Sequence, residues 1–228
     1  SMDSPAIDKN NDALDAYNSG SSVQAANQFQ QAYEDATSSS TKVVALVNLA
    51  YAYNSQGNNE LALSTFNKAL TLAVTDSVMY YLISGEIAER ENKPNAALLA
   101  YNKGYEKDPE DYQINNALAL FYLDLSDNHP QYTDYKKGLN YAQKANQLSP
   151  SSLSKKNLAI AYYFNENYPQ TISILSSLDL SNAPQYDYFL GLSYAQIDDS
   201  INAKFYLSRA ISGGIDVPQE VRDYIATH

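Results

Sequence analysis

Small and large apolar residues recur along the chain at helical spacing. Ala25, Phe29 and Ala32 are followed by the same arrangement at Ala62, Phe66 and Ala69. A small residue, a large one four later and a small one three later lie on one face of an α-helix. A second pattern alternates with the first. It is seen in Asn48-Leu49-Ala50-Tyr51-Ala52-Tyr53 and again in Asn157-Leu158-Ala159-Ile160-Ala161-Tyr162. Short polar turns separate the two patterns, which together predict a series of antiparallel helix pairs. The small residue near the middle of each first helix falls at Ala13, Ala50, Gly85, Ala119, Ala159 and Gly191, in steps of 37, 35, 34, 40 and 32 residues.

This repeat resembles the tetratricopeptide repeat, a helix pair of about 34 residues. Six units are in phase, at about 6–39, 43–76, 78–111, 112–151, 152–183 and 184–215. The resemblance implies an all-α fold, a right-handed α-solenoid (superhelix) of stacked antiparallel helix pairs, formed as one domain over 1–228. Two helices approach closely only where their side chains are small, and each pair leaves a face that its neighbour must cover. Unit 2 is the most regular, with Leu46, Leu49, Ala50 and Tyr53 followed by Gly57, Ala62, Phe66 and Ala69. Unit 1 departs from the pattern, because Lys9 and Asp12 stand where apolar residues belong. In unit 4 the second helix arrives seven residues late, after the polar insertion Ser126-Asp127-Asn128-His129-Pro130-Gln131. In unit 5, Thr171 and Leu178 replace the small residues expected. Pro94 and Pro169 suit the first turn of second helices, while Pro109 and Pro150 suit positions just past helix ends. Beyond Gly213-Gly214, Val217, Val221, Tyr224 and Ile225 form an apolar stripe. It predicts a capping helix over 217–227, opened by a capping box of Asp216 and Gln219.

Composition narrows the function. The chain has 228 residues and a net charge of −11, a field that repels a phosphate backbone, so nucleic acid is not an expected partner. It has no cysteine, hence no disulfide, thiolate metal site or cysteine nucleophile. No apolar run reaches membrane-spanning length, so insertion is not expected. Ser1-Met2 reads as a cloning remnant, so a native leader or anchor could have been cut away there. The absence of cysteine and the wealth of Asn, Ser and Tyr fit an exported or membrane-tethered bacterial domain, with a cytoplasmic one as the alternative.

No phosphate-binding glycine loop, paired-histidine helix or nucleophile elbow occurs, and no set of groups converges to do chemistry. Enzymatic activity, catalytic residues and cofactors are therefore not expected. Asp127-Asn128-His129 and Asp198-Asp199 bear metal-ligand chemistry but read better as solvated polar loops, so no metal site is assigned.

The resemblance implies instead that the first helices line a concave face that holds a peptide or helix of another protein. Carried over by phase, its positions are Asn48 and Tyr51 in unit 2, Leu82 and Glu86 in unit 3, and Asn116 and Leu120 in unit 4. Lys156, Asn157, Ile160 and Tyr163 follow in unit 5, and Tyr188 in unit 6. At the positions of Asn48 and Asn157 the family's asparagine often holds a peptide backbone, a task suited to an amide that both donates and accepts. The alternative is that each ties down a neighbouring helix. The apolar and aromatic groove residues of units 4–6 suit an amphipathic helix or an extended apolar segment, or else serve packing between units. Among the 21 tyrosines, Tyr53, Tyr122, Tyr162 and Tyr194 share one repeat position, where a ring wedges between helices. The function expected is an interaction scaffold. The alternative is a self-associating structural or envelope-assembly subunit, a homo-oligomer that stacks on copies of itself through the uncovered end of unit 1.

Overall fold

The computed structural model describes residues 3–228, so the reading of Ser1-Met2 lies outside the described residues. The described residues form an all-helical solenoid of six helix pairs, with a 3-10 turn at Pro130–Tyr132 inside the fourth, and a closing helix. The pairs are α1 (Ser4–Asn18) with α2 (Ser22–Asp35), α3 (Ser39–Ser55) with α4 (Asn59–Leu72), and α5 (Val78–Arg90) with α6 (Pro94–Lys107). They continue as α7 (Tyr112–Leu123) with α8 (Tyr135–Leu148), α9 (Ser152–Phe164) with α10 (Tyr168–Ser176), and α11 (Pro184–Gln196) with α12 (Ser200–Ser212). The closing helix is α13 (Gln219–Thr227).

The local signals act as their chemistry requires. Ser38, Ser77, Asp111, Asp134, Ser151 and Asp199 cap helices by accepting a backbone N–H three residues on. Each such cap contributes about 1 kcal/mol. The turns inside the pairs pass through left-handed backbone at Gly20, Gly57, Asn92, Glu166 and Asp198. At Gly85 the fit is closest, because a Cβ there would stand 2.2 Å from a ring carbon of the fully buried Tyr101. The bare backbone of α5 is what lets α6 lay that ring against it.

Ala25, Phe29 and Ala32, and likewise Ala62, Phe66 and Ala69, are fully buried between their helices. Two of the four tyrosines at the shared position stack on a ring of the second helix. Tyr122 lies parallel to Tyr141 at 6.0 Å, and Tyr194 parallel to Tyr206 at 5.6 Å. In the fifth pair Thr171 fits a site meant for a smaller residue because its hydroxyl donates to the Ala159 carbonyl at 2.9 Å. α10 is short, and Leu180, in the chain that follows it, is buried with Leu175 and Leu190 to complete that part of the core.

Three expectations need correction. The closing helix begins at Gln219, and the capping box of Asp216 and Gln219 does not form. Pro218 occupies the cap position without a side-chain bond, Asp216 lies 3.8 Å from Arg222, and buried Val217 anchors the entry. The insertion is only partly solvated. Residues 125–128 are exposed, but His129 is buried, stacked on Phe121 with ring centroids 4.3 Å apart. Asp124, in left-handed backbone, accepts the N–H groups of Asn128 and His129 and so folds the excursion back. Nor is Asp198-Asp199 only a solvated loop, because half-buried Asp199 caps α12 by accepting the Asn202 N–H.

The row of pairs also curls far enough to meet itself. A Cβ built on Gly20, in the α1–α2 turn, would lie 3.5 Å from the Cβ of Asn182, in the connection between α10 and α11.

Candidate functional site

The first helices bring the groove positions together in two stretches. In the first, Asn48 is buried and donates from Nδ2 to Oδ1 of Asn10 on α1 at 3.2 Å. Asn157 likewise donates to Oδ1 of Asn116 on α7 at 3.0 Å. Asn48 and Asn157 share a repeat position, and so do Asn10 and Asn116. The same amide clasp therefore joins α1 to α3 and α7 to α9.

Tyr51 donates to Oε1 of Glu86 at 2.7 Å, and the Arg90 guanidinium donates to Oε2 of the same carboxylate at 2.6 Å. The guanidinium lies 4.6 Å from the centre of the Phe66 ring, on which Tyr51 sits edge-on. Burial, with Glu86 alongside, pushes the Tyr51 hydroxyl well above its ordinary range. One turn further along α5, Glu89 accepts from the Tyr101 hydroxyl at 2.6 Å and faces Nε2 of His129 at 3.5 Å. Burial and the neighbouring Glu86 carboxylate push Glu89 up to about 7. Leu82 and Ile160 are core residues, and Leu120 is half-buried. Lys156 is buried, with its ammonium 5.2 Å from the centre of the Tyr186 ring, and desolvation lowers its pKa.

The second stretch is aromatic. Tyr163 stands edge-on to Phe189 at 5.1 Å and to Tyr168 at 5.7 Å. Phe164 contacts Phe189 at 6.0 Å and stacks on Tyr135 at 4.9 Å, while Tyr188 leans on Phe189 at 6.1 Å. Tyr163, Phe164, Tyr168, Tyr188 and Phe189 are all half-buried, so each keeps part of its surface open. Phe189 was absent from the sequence-derived set. Its signal was there to be read, because it occupies in the sixth repeat the position that Asn48 and Asn157 hold in theirs.

Among the described residues no group of three or more His, Cys, Asp or Glu side chains is placed to hold a metal ion, and no helix is long and apolar enough to cross a membrane.

Residues 43–73, the α3–α4 pair, match the tetratricopeptide repeat family. No curated protein matches the sequence. Solved structures share the fold at low identity. A chain of the Cut9–Hcn1 hetero-tetramer of the APC/C superposes with a TM-score of 0.63 at 16% identity, over 97% of this chain and 42% of that one. This chain thus spans less than half of that relative. PilF of Pseudomonas aeruginosa gives 0.57 at 18% identity over 83% of this chain and 89% of its own. YrrB, described as having an unusual peptide-binding site, gives 0.53 at 18% identity over 88% and 98%.

Proposed function

We propose that this chain, a tetratricopeptide repeat protein, is an interaction scaffold that holds an apolar segment of another protein against the first helices of its fifth and sixth repeats. The observation that carries this reading is the half-buried aromatic shelf of Tyr163, Phe164, Tyr168, Tyr188 and Phe189. Tyrosine and phenylalanine offer large contact area at small entropic cost, and the tyrosine hydroxyls can bond a backbone laid across them. The groove positions of repeats 2 and 3 are engaged within the chain, so they contribute shape and stiffness. The wall contains no convergent set of reactive groups, and the reading assigns it no chemistry.

Affinity capture from the source cells tests this. The double substitution Tyr163→Ala with Tyr188→Ala is expected to lower partner recovery at least tenfold while the helical CD signal is retained. Equal recovery by the variant rejects the aromatic shelf as the contact.

A second reading, self-association, draws on α12. There Ile201 is 82% exposed and Phe205 55% exposed, one turn apart, with the exposed Ile197 preceding them. Light scattering over a concentration series decides between a monomer, which removes this reading, and a mass that rises with concentration.

A further inference from the structure

Among the described residues Lys156 is the one buried lysine or arginine, at 5% exposure. A charge taken out of water is costly unless a partner compensates it. The buried Glu86 carboxylate is so compensated, by Tyr51 and Arg90. Lys156 is not. Its ammonium makes no hydrogen bond and no ion pair, and its close neighbour is the face of the Tyr186 ring at 5.2 Å. The carboxylate that acts on it from further off is Asp179, in the connection between α10 and α11. Asp179 is exposed and accepts the Ser181 N–H at 3.0 Å. Desolvation outweighs its pull and lowers the pKa of the ammonium. The ammonium is nevertheless not sealed off from the groove.

Lys156 also stands in register with the aromatic shelf. Lys156, Ile160 and Tyr163 lie at i, i+4 and i+7 on α9, one stripe of the inner wall. Both ends of the stripe reach α11, Lys156 at Tyr186 and Tyr163 at Phe189, 5.1 Å away. Buried Ile160 is the floor between them. At a helical rise of about 1.5 Å per residue, ammonium and shelf close the two ends of a strip about 10 Å long.

We infer that Lys156 anchors one acidic side chain of the apolar segment that the shelf holds. This rests on the shelf as the contact and adds the charge of what it binds. In an extended segment, at about 3.3 Å per residue, the acid stands about three residues from the one on the shelf. In a helical segment it stands about seven away. The carboxylate supplies the partner that the ammonium lacks, and a charge-assisted bond is strong where water is partly excluded. A single acid suits the site, because a net charge of −11 repels a run of them.

Phage-displayed random peptides, fused so that none has a free carboxyl terminus, test this by selection on the unmodified protein and on Lys156→Met. The unmodified protein is expected to enrich a large apolar residue with Asp or Glu at one of those two spacings. The variant is expected to enrich the apolar residue alone. The best sequence is then synthesised with both ends blocked. Replacing its acid by the corresponding amide is expected to weaken binding to the unmodified protein about fivefold or more, and to leave binding to the variant unchanged. Binders without a placed acid, or equal weakening on both proteins, overturn the anchor. The shelf survives that result if Tyr163→Ala with Tyr188→Ala abolishes the binding. No binders, or binders indifferent to the shelf as well, reject anchor and shelf together. Lys156→Met removes an uncompensated charge and is expected to melt at or above the unmodified protein, with Lys156→Gln as the second neutral variant should methionine not fold. A fall of about 5 °C or more in both variants would show the ammonium to be spent on the fold, and would overturn the anchor.

Discussion

The inner walls of repeats 2–3 and of repeats 5–6 are both built on first helices, yet they carry opposite chemistry. In repeats 2–3 the walls hold Tyr51, Glu86 and Arg90, which satisfy one another across neighbouring helices. In repeats 5–6 they hold Tyr163, Phe164, Tyr188 and Phe189, which meet only through ring edges and faces. A buried charge left without a partner is costly, so the first wall is bound to its internal contacts. An aromatic ring half out of water gains by being covered, so the second wall has surface to offer. Under the proposed function the same helix packing serves two ends, stiffness at one place and adhesion at another.

The contrast breaks most readily at Glu86. Glu86→Ala strands the Arg90 guanidinium and the Tyr51 hydroxyl in a buried site, and is expected to cost about 3 kcal/mol. Tyr163→Ala, which uncovers only a half-buried ring, is expected to cost about half as much. Urea unfolding of the two variants checks this, and equal losses would erase the distinction between the walls.

Glu89 sharpens the comparison through pH. Its carboxyl is raised from about 4.5 to about 7 by burial and Glu86, so the fold favours its protonated form. The stability it contributes is fully present below about 4.5 and is lost as pH rises through about 7. Glu89→Gln keeps an acceptor for the Tyr101 hydroxyl and carries no charge. It is expected to melt a few degrees above the unmodified protein at pH 8, with the difference shrinking towards pH 4.5. Thermal melts over that interval measure it, and a constant difference would refute the assignment. No matching slope is expected from the aromatic wall, where Tyr163 and Tyr188 are raised from a range already far above neutrality.

Smaller effects probe the fifth repeat. Thr171→Val keeps the shape and loses the bond to the Ala159 carbonyl, for an expected cost of about 1 kcal/mol. Glu166 sits at φ of +59° in a turn where the first two repeats use glycine. Glu166→Gly is expected to raise stability, by about 0.5–1 kcal/mol, because an L-side chain is disfavoured in that conformation. Chemical denaturation resolves both signs.

Much of the fold could be read in the sequence because each repeat is a local object. Ala62, Phe66 and Ala69 mark a helix face whatever else the chain does, and six such units in phase leave few ways to stack. The capping box at Asp216 failed because Pro218 can take the cap position itself, a choice made by how α13 docks. The insertion around His129 was legible as a break but not as a buried plug, since nothing nearby in sequence says that Phe121 and Glu89 wait for it. Groove membership was legible by phase alone. Phase places Asn48, Asn116 and Asn157 on the inner side but does not say that Asn48 pairs with Asn10, or Asn157 with Asn116, across neighbouring first helices.

Periodicity by itself determined the helices, their pairing and the order of the repeats, because these depend on spacings within about 34 residues. Tertiary structure alone decided which polar groups satisfy one another, which rings stay half open, and how far the row curls. Curvature accumulates from small rotations between successive pairs, so the meeting of Gly20 with Asn182 belongs to no single repeat.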